Sequence, residues 1–316
     1  MVFTRKAKAV LCPIAPDQIA AYFDRMTDLD SKTNTSSSAK AVPAATRSSS
    51  IQELRRPVYI GPVNWVGVGM LYQREVQRFL KIATQTLAAP VITSILFLMV
   101  FSVAIGERAS FAGDIDFVTF LVPGLVMMNV LQNAFANTSS SLVVSKVQGN
   151  IVDLLMPPLG PGELLFGLAA AGMTRGLCVG IVTAAALVML DGGNLPPHPM
   201  IAIGFLILGA FALSFAGILA GIWANKFDEL AAITNFVVQP LTFLSGTFYS
   251  VDRLPAPFDM IASLNPVFYA IDGFRYGMIG VADRPLMTGF YCLVAVNVVL
   301  AILCYKALRS GYRLKS

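Results

Sequence analysis

The residues best able to do chemistry in this sequence are amides, hydroxyls and one arginine set inside otherwise apolar stretches. Asn129, Asn133, Asn137 and Ser141 recur at four-residue spacing, with Gln132, Thr138, Ser139 and Ser140 beside them. Amides facing lipid are costly, so the stripe must face protein or a wet cavity; it reads either as a substrate path or as interhelical hydrogen bonding. Arg175 lies in the next apolar stretch among Gly172, Gly176 and Gly180. That glycine spacing lets helices approach closely, and an intramembrane guanidinium needs a carboxylate, backbone carbonyls or water; Arg175 is either part of the path or a structural clamp.

Other chemistries are excluded. His198 is the single histidine and sits among Pro196, Pro197 and Pro199, which removes His-based metal clusters and two-histidine relays. Cys12, Cys178, Cys292 and Cys304 lie far apart, without the spacing of a zinc site or a disulfide framework. Ser245 and Gly246 lack the G-x-S-x-G context of a serine hydrolase. No Gly-Lys pair occurs, so the phosphate-cradling loop G-x-x-x-x-G-K-[ST] is absent.

The elements that must hold these residues follow from composition. Of 316 residues, 56% are apolar and 13% charged, against about a quarter charged in soluble domains. Mean hydropathy is +0.69 and the isoelectric point about 9.1. The basic residues flank apolar segments rather than forming a stripe, which points to membrane lipid and not to nucleic acid. Apolar runs at about 84–106, 117–143, 164–190, 200–224, 230–251 and 286–305 are each long enough to cross a core about 30 Å thick, predicting six transmembrane helices in an all-α integral membrane protein. Residues 260–271 form a shorter apolar segment flanked by Asp259, Asp272 and Arg275, expected to be re-entrant or interfacial. Arg74, Arg78 and Lys81 precede the first run and Lys306, Arg309, Arg313 and Lys315 follow the last, so the positive-inside rule puts both termini in the cytoplasm.

Two segments precede the spans. Residues 1–60 are rich in Ser, Thr, Ala and cations and are expected to be a disordered cytoplasmic tail; Pro13 and Asp17 interrupt any signal-peptide pattern after Arg5, Lys6 and Lys8. Residues 61–316 form the membrane domain. Within 64–81, Trp65, Val68, Tyr72, Val76 and Phe79 share one face of a predicted amphipathic helix, with Gln73, Arg74, Gln77, Arg78 and Lys81 opposite, a pattern suited to the plane of an anionic membrane surface.

Two loops carry further signals. Ile151, Leu154 and Leu155 share a face of a short helix stopped by Pro157 and Pro158; this apolar knob either docks into a partner or packs back on its own bundle. After the fifth run, Pro255 and Pro257, then Asn265 and Pro266, punctuate two short helical stretches, predicting a helical hairpin that dips into the outer leaflet. Asp272 and Arg275 are three apart and can pair.

These residues together resemble the ABC-2 type permeases of ATP-binding-cassette exporters, which include subunits of drug, nodulation-factor and polysaccharide exporters. The resemblance rests on Pro240, Leu241, Thr242, Phe243, Leu244, Ser245, Gly246, Thr247, Phe248 and Tyr249, then Leu264, Asn265 and Pro266, then Ile271 to Arg275, in that order on six spans. It covers about four-fifths of the chain and leaves the Ser/Thr-rich extension outside the family pattern. It implies a six-span half-transporter that dimerises with a second copy and binds two copies of a separate cytoplasmic ATPase, which holds the ATP and Mg; no cofactor belongs to this chain. Residues 64–81 look like the connecting helix, and Ile151, Asp153, Leu154 and Leu155 like the coupling helix. The hairpin with Asn265, Pro266, Asp272 and Arg275 looks like the outer gate, and Asn129, Asn133, Asn137 and Arg175 are the candidates for the path. The expected function is an export permease of a bacterial inner membrane carrying an amphiphilic, lipid-linked or hydrophobic substrate, without catalysis of its own. The alternative is a self-sufficient channel or secondary transporter, although ion-coupled carriers usually place carboxylates within spans and this chain places none there.

Overall fold

The computed structural model describes residues 63–105, 110–111, 115–190, 196–251 and 258–313; the tail at 1–60 lies outside them. Among the described residues the helices are α1 (Trp65–Leu80), α2 (Ala83–Ile105), α3 (Phe117–Val147), α4 (Ile151–Leu155), α5 (Pro161–Leu190), α6 (Pro199–Trp223), α7 (Phe227–Ile233), α8 (Gln239–Phe243), α9 (Phe258–Leu264), α10 (Pro266–Ile279) and α11 (Leu286–Ser310). Among the described residues the strand pairing is a two-residue antiparallel ladder between α2 and α3, joining Ser110 with Asp116 and Phe111 with Ile115.

Local sequence accounts for the element ends. The Asn64 side chain caps α1 by accepting from the Gly67 N–H at 2.9 Å, leaving one fewer unpaired donor in its first turn. Pro161 and Pro199 open α5 and α6, where the missing N–H costs nothing and φ is already helical. Prolines 157 and 158 stop α4 after five residues.

Among the described residues five helices, α2, α3, α5, α6 and α11, are long and apolar enough to cross a membrane. The sequence run expected to be the fifth span, 230–251, is not one long helix. It is α7, a five-residue π-helix (Thr234–Val238) and α8 in continuous succession, about 25 Å at 1.5 Å per residue, and then turns. Pro240 is the cause visible in the sequence: it has no N–H to donate one turn back, and widened i→i+5 turns are a usual accommodation of such a break.

The chain crosses back and forth between two ends. At one, Lys146 Nζ donates to the carbonyls of Ile222 (2.5 Å) and Ala224 (3.0 Å), and Arg313 Nη1 to that of Trp223 (2.8 Å). The Asn64 N–H donates to Glu163 Oε1 there at 2.6 Å, so α1 and the start of α5 join this basic end. At the other end His198 N–H donates to the Gly277 carbonyl at 3.1 Å, tying the start of α6 to the end of α10.

Helix α3 is the axis of the bundle, packed against α5, α6 and α10. Phe120, Leu121, Leu125, Val126, Val130, Leu131 and Ala134 have no exposed surface. Peripheral α2 and α11 expose Met99, Val103, Val298 and Val299, as lipid-facing helices do. Lipid is as apolar as leucine, so close packing rather than exclusion from water must hold the spans together. The glycines supply it: a methyl at Gly176 would stand 2.9 Å from the Val130 carbonyl oxygen, and one at Gly217 2.5 Å from that of Phe135.

Backbone cannot yield as a side chain can. Gly217→Ala should therefore cost about 1–3 kcal/mol of overpacking and lower the thermal midpoint in detergent by several degrees. Gly204→Ala, whose new methyl meets nothing within 4 Å, should leave it unchanged.

Candidate functional site

The short helix at the basic end is built into its own bundle. Ile151 is 7% exposed and Leu154 2%, seated among Leu71, Leu142, Leu164, Leu168 and Ile222. The apolar knob anticipated for partner docking is thus not free: α4 is one and a half turns long, and only its opposite side remains open. That side carries Val152 (55% exposed), Asp153 and Met156 (74%). Leu155 belongs to α4, its side chain lying outside the described residues. Glu163, which sequence reasoning did not single out, locks the arrangement: Oε1 takes the Asn64 N–H, and Oε2 takes the Gly160 N–H at 2.6 Å. Between α1 and α4 runs a groove of about 350 Å³ lined by buried Leu71 and Leu154 together with Met70, Arg74 and Asp153.

The amphipathic helix presents a different buried line from the one anticipated. Val68, Leu71, Glu75 and Phe79 face the bundle, while Trp65 is 68% exposed. Glu75, 1% exposed, pairs with Arg74 and with Arg78, each at 3.1 Å. Arg78 turns inward, against the expectation that it lines the outer face. Its Nη2 donates to the Asn137 carbonyl (2.6 Å) and Oδ1 (3.2 Å), and its Nη1 to Ser140 Oγ (3.2 Å). A buried carboxylate between two arginines was missed because nothing at sequence level distinguishes Glu75 from a solvated charge on a surface helix; the three-residue spacing to Arg78 was the available hint. One turn before Glu75, the Tyr72 hydroxyl meets Thr174 Oγ1 at 2.9 Å, joining α1 to α5.

The four-residue stripe on α3 does not act as one surface. Four residues of α-helix overshoot a full turn by roughly 40°, so each member points to a different neighbour. Asn129 Nδ2 donates to Ser94 Oγ on α2 at 2.6 Å. Asn133 accepts from Arg175 Nη2 at 3.2 Å, Asn137 receives Arg78, and Ser141 is buried with its hydroxyl unpartnered. Gln132, beside the stripe, donates to Thr242 Oγ1 of α8 at 3.1 Å. Of the path candidates, therefore, Asn133 touches two others: its Nδ2 donates to the Asn129 carbonyl one turn back at 3.0 Å, and its Oδ1 takes Arg175. Gln132, Asn133, Ala136 and Ser140 keep some exposed surface and form the open edge of α3.

At the opposite end α10 is held by side chains already singled out, in other pairings. Asn265 caps it, accepting from Val267 N–H at 3.0 Å, while Nδ2 donates to the Leu241 carbonyl and Ser245 Oγ, both at 2.7 Å. Pro266 occupies the first helical position. Asp272 and Arg275 do not pair as expected. Asp272 accepts the backbone N–H groups of Asp283 (2.8 Å) and Arg284 (3.1 Å), whereas Arg275 donates to the Gly246 carbonyl and lies 3.9 Å from the Phe120 ring centre. Asp283 in turn accepts from Ser250 Oγ and Val251 N–H, both at 2.8 Å. The two carboxylates fold the connection between α10 and α11 down onto α10 and the segment that follows α8.

Comparisons with known proteins agree with this architecture. A family profile described as ABC-2 type transporter matches residues 67–279. The inner membrane transport permease YadH of Escherichia coli strain K12 is 39% identical over 252 residues, covering 80% of this chain and 98% of that protein. Nodulation protein J of Rhizobium leguminosarum bv. viciae is 25% identical over 244 residues, covering 75% of this chain and 91% of that protein. With the profile spanning α1 through α10 and a relative matched over nearly its whole length, the chain belongs to the ABC-2 type transporter family.

Proposed function

We propose that this chain is the permease subunit of an ABC exporter, pairing with a second copy of itself and with two copies of a separate cytoplasmic ATPase. The observation that carries the reading is family membership, with the profile running from α1 through α10 and a 39% identical relative covering 80% of the chain. In this reading the π-interrupted run from α7 through α8 is a sixth, shorter crossing, and α9 with α10 form the re-entrant outer hairpin. The end carrying Lys146, Lys226, Arg309 and Arg313 faces the cytoplasm, by the positive-inside rule. The membrane is the bacterial inner membrane, as for YadH by its name. Residues 1–60 form a cytoplasmic tail.

ATP and Mg bind to the partner, and this subunit contributes movement. The exposed side of α4, with Val152, Asp153 and Met156, meets the ATPase. The buried side, Ile151 and Leu154, passes displacement to Leu71 of α1, Leu142 of α3 and Leu164 of α5. Close-packed interiors shift as units and do not deform continuously, which suits this role. The substrate is an amphiphile, a lipid-linked molecule or a hydrophobic compound, moving along the open edge of α3.

Purification of the tagged full chain in nanodiscs tests the reading: an ATPase should copurify in stoichiometric amount, with its turnover altered by the permease, and a lone oligomer would overturn it. Val152→Asp combined with Met156→Asp should weaken ATPase retention about 100-fold or more, since charges would be desolvated in the contact, without moving the thermal midpoint. Undiminished retention would remove α4 from the coupling role. Leu154→Asp should instead destabilise the basic end, with a fall in the thermal midpoint. At the other end, Asp272→Asn keeps shape but loses a charged acceptor of two N–H groups; it should cost about 1.5–3 kcal/mol and lower both the midpoint and transport.

A further inference from the structure

Three arginines of this chain enter the bundle, and they are satisfied very differently. Arg78 has a carboxylate, a carbonyl, an amide oxygen and a hydroxyl. Arg275 is 1% exposed and sealed beneath a ring; it is bound to one carbonyl, with Nε and Nη1 buried and unpartnered, so burial and not hydrogen bonding sets it apart. Arg175, halfway along α5, has a single hydrogen bond of 3.2 Å to Asn133 Oδ1. Its Nε is buried without a partner, and among the described residues no carboxylate pairs with it. Unlike Arg275 it is part-exposed, so the terminal end of its guanidinium, though not the buried Nε, is open to whatever enters from the side.

A guanidinium this poorly satisfied at mid-span is costly unless a counter-charge reaches it. A second copy cannot supply one from its spans, because none of the apolar runs contains Asp or Glu. The Asn137 Nδ2 group, one turn along α3 from Asn133, is also buried and unpartnered, adding a vacant donor beside the same seam. The vacancy is thus one of negative charge and acceptor oxygens. Its setting halfway along an apolar helix requires the rest of the occupant to be apolar.

We infer that Arg175 and Asn133 form the head-group site for an anionic amphiphile, a molecule with a phosphate or similar oxyanion on a hydrocarbon tail. This rests on the permease reading for its functional meaning and narrows the substrate class given there. Guanidinium and phosphate match as a bidentate pair, and charge-assisted bonds of that kind are roughly twice as strong as neutral ones. Asn133 holds the guanidinium plane against α3, and the open edge of α3 at Gln132 and Ala136 gives the ligand its approach.

The test uses the full chain in zwitterionic phosphatidylcholine nanodiscs and radiolabelled dodecyl phosphate below its micellar concentration. Binding should be saturable and weakened by salt. Arg175→Gln should reduce affinity about tenfold or more, and Arg175→Lys, which keeps the charge but loses the bidentate fork, should reduce it by less than Arg175→Gln does. Asn133→Asp places an isosteric carboxylate on the guanidinium; it should abolish binding while maintaining or raising the thermal midpoint, which keeps the test decisive if Arg175→Gln folds poorly. Equal binding by wild type and Asn133→Asp would overturn the site. Displacement by dodecanol as effective as by unlabelled dodecyl phosphate would show a merely apolar site and overturn it. Displacement by inorganic phosphate at matched concentration would show a free-anion site and overturn the amphiphile. An ATPase that copurifies with a chain unable to bind dodecyl phosphate would refute this inference alone; binding without an ATPase would uphold the site and refute the permease reading.

Discussion

A polar group inside hydrocarbon must find its partner within the protein, and α3 is where this chain meets that demand. Thirty-one residues long and the most enclosed of the spans, α3 carries three asparagines, a glutamine and a run of hydroxyls through the centre of the bundle. Each obliges a neighbour to come close at a set place: Asn129 fixes α2 through Ser94, Gln132 fixes α8 through Thr242, and Asn137 fixes α1 through Arg78. Thr138 Oγ1 reaches the Ser214 carbonyl of α6 at 2.9 Å, which is possible because Gly217 clears the space beside it. The helices are thereby given directions as well as proximity, which apolar packing alone does not supply.

The two ends of the bundle are tied differently. At the basic end a single carboxylate, Glu163, gathers the starts of α1 and α5 and the loop after α4. A second, Glu75, anchors Arg78 against α3. At the far end Asp272 and Asp283 take backbone N–H groups and a hydroxyl, so the connection between α10 and α11 is folded down by its own main chain. Between them the interior is closely packed and mostly apolar, crossed by the polar residues of α3. A push on α4 meets Leu71, Leu142 and Leu164 together, so displacement there must be shared by α1, α3 and α5.

Within this arrangement Arg175 is the exception. Arg78 is saturated and Arg275 is sealed, whereas Arg175 is part-exposed with a single hydrogen bond. Arg78 and Arg175 meet α3 one turn apart, at Asn137 and Asn133, and this difference in satisfaction is the ground for the head-group site proposed above. The spans offer no carboxylate to complete it.

Composition and periodicity by themselves determined that the chain is a helical membrane bundle, where five of its spans lie, that a short helix follows the second span, and that Asn265 and Pro266 begin a separate helix. These are local matters: apolar length, proline and caps act within a turn or two of where they stand. The short motifs, in their order, were enough to suggest the family. Tertiary structure alone decided which way each polar side chain turned. Ile151 and Leu154 face inward because the bundle offers them Leu71, Leu142 and Leu164. Glu75 is buried because Arg78 is needed at Asn137, and Asp272 and Arg275 part because main-chain donors and a carbonyl lie nearer to each than the other does. The fifth run is interrupted where a helix containing Pro240 must also meet Gln132. Partners of this kind are set by residues distant in the chain, and no spacing along one helix encodes what stands on the next.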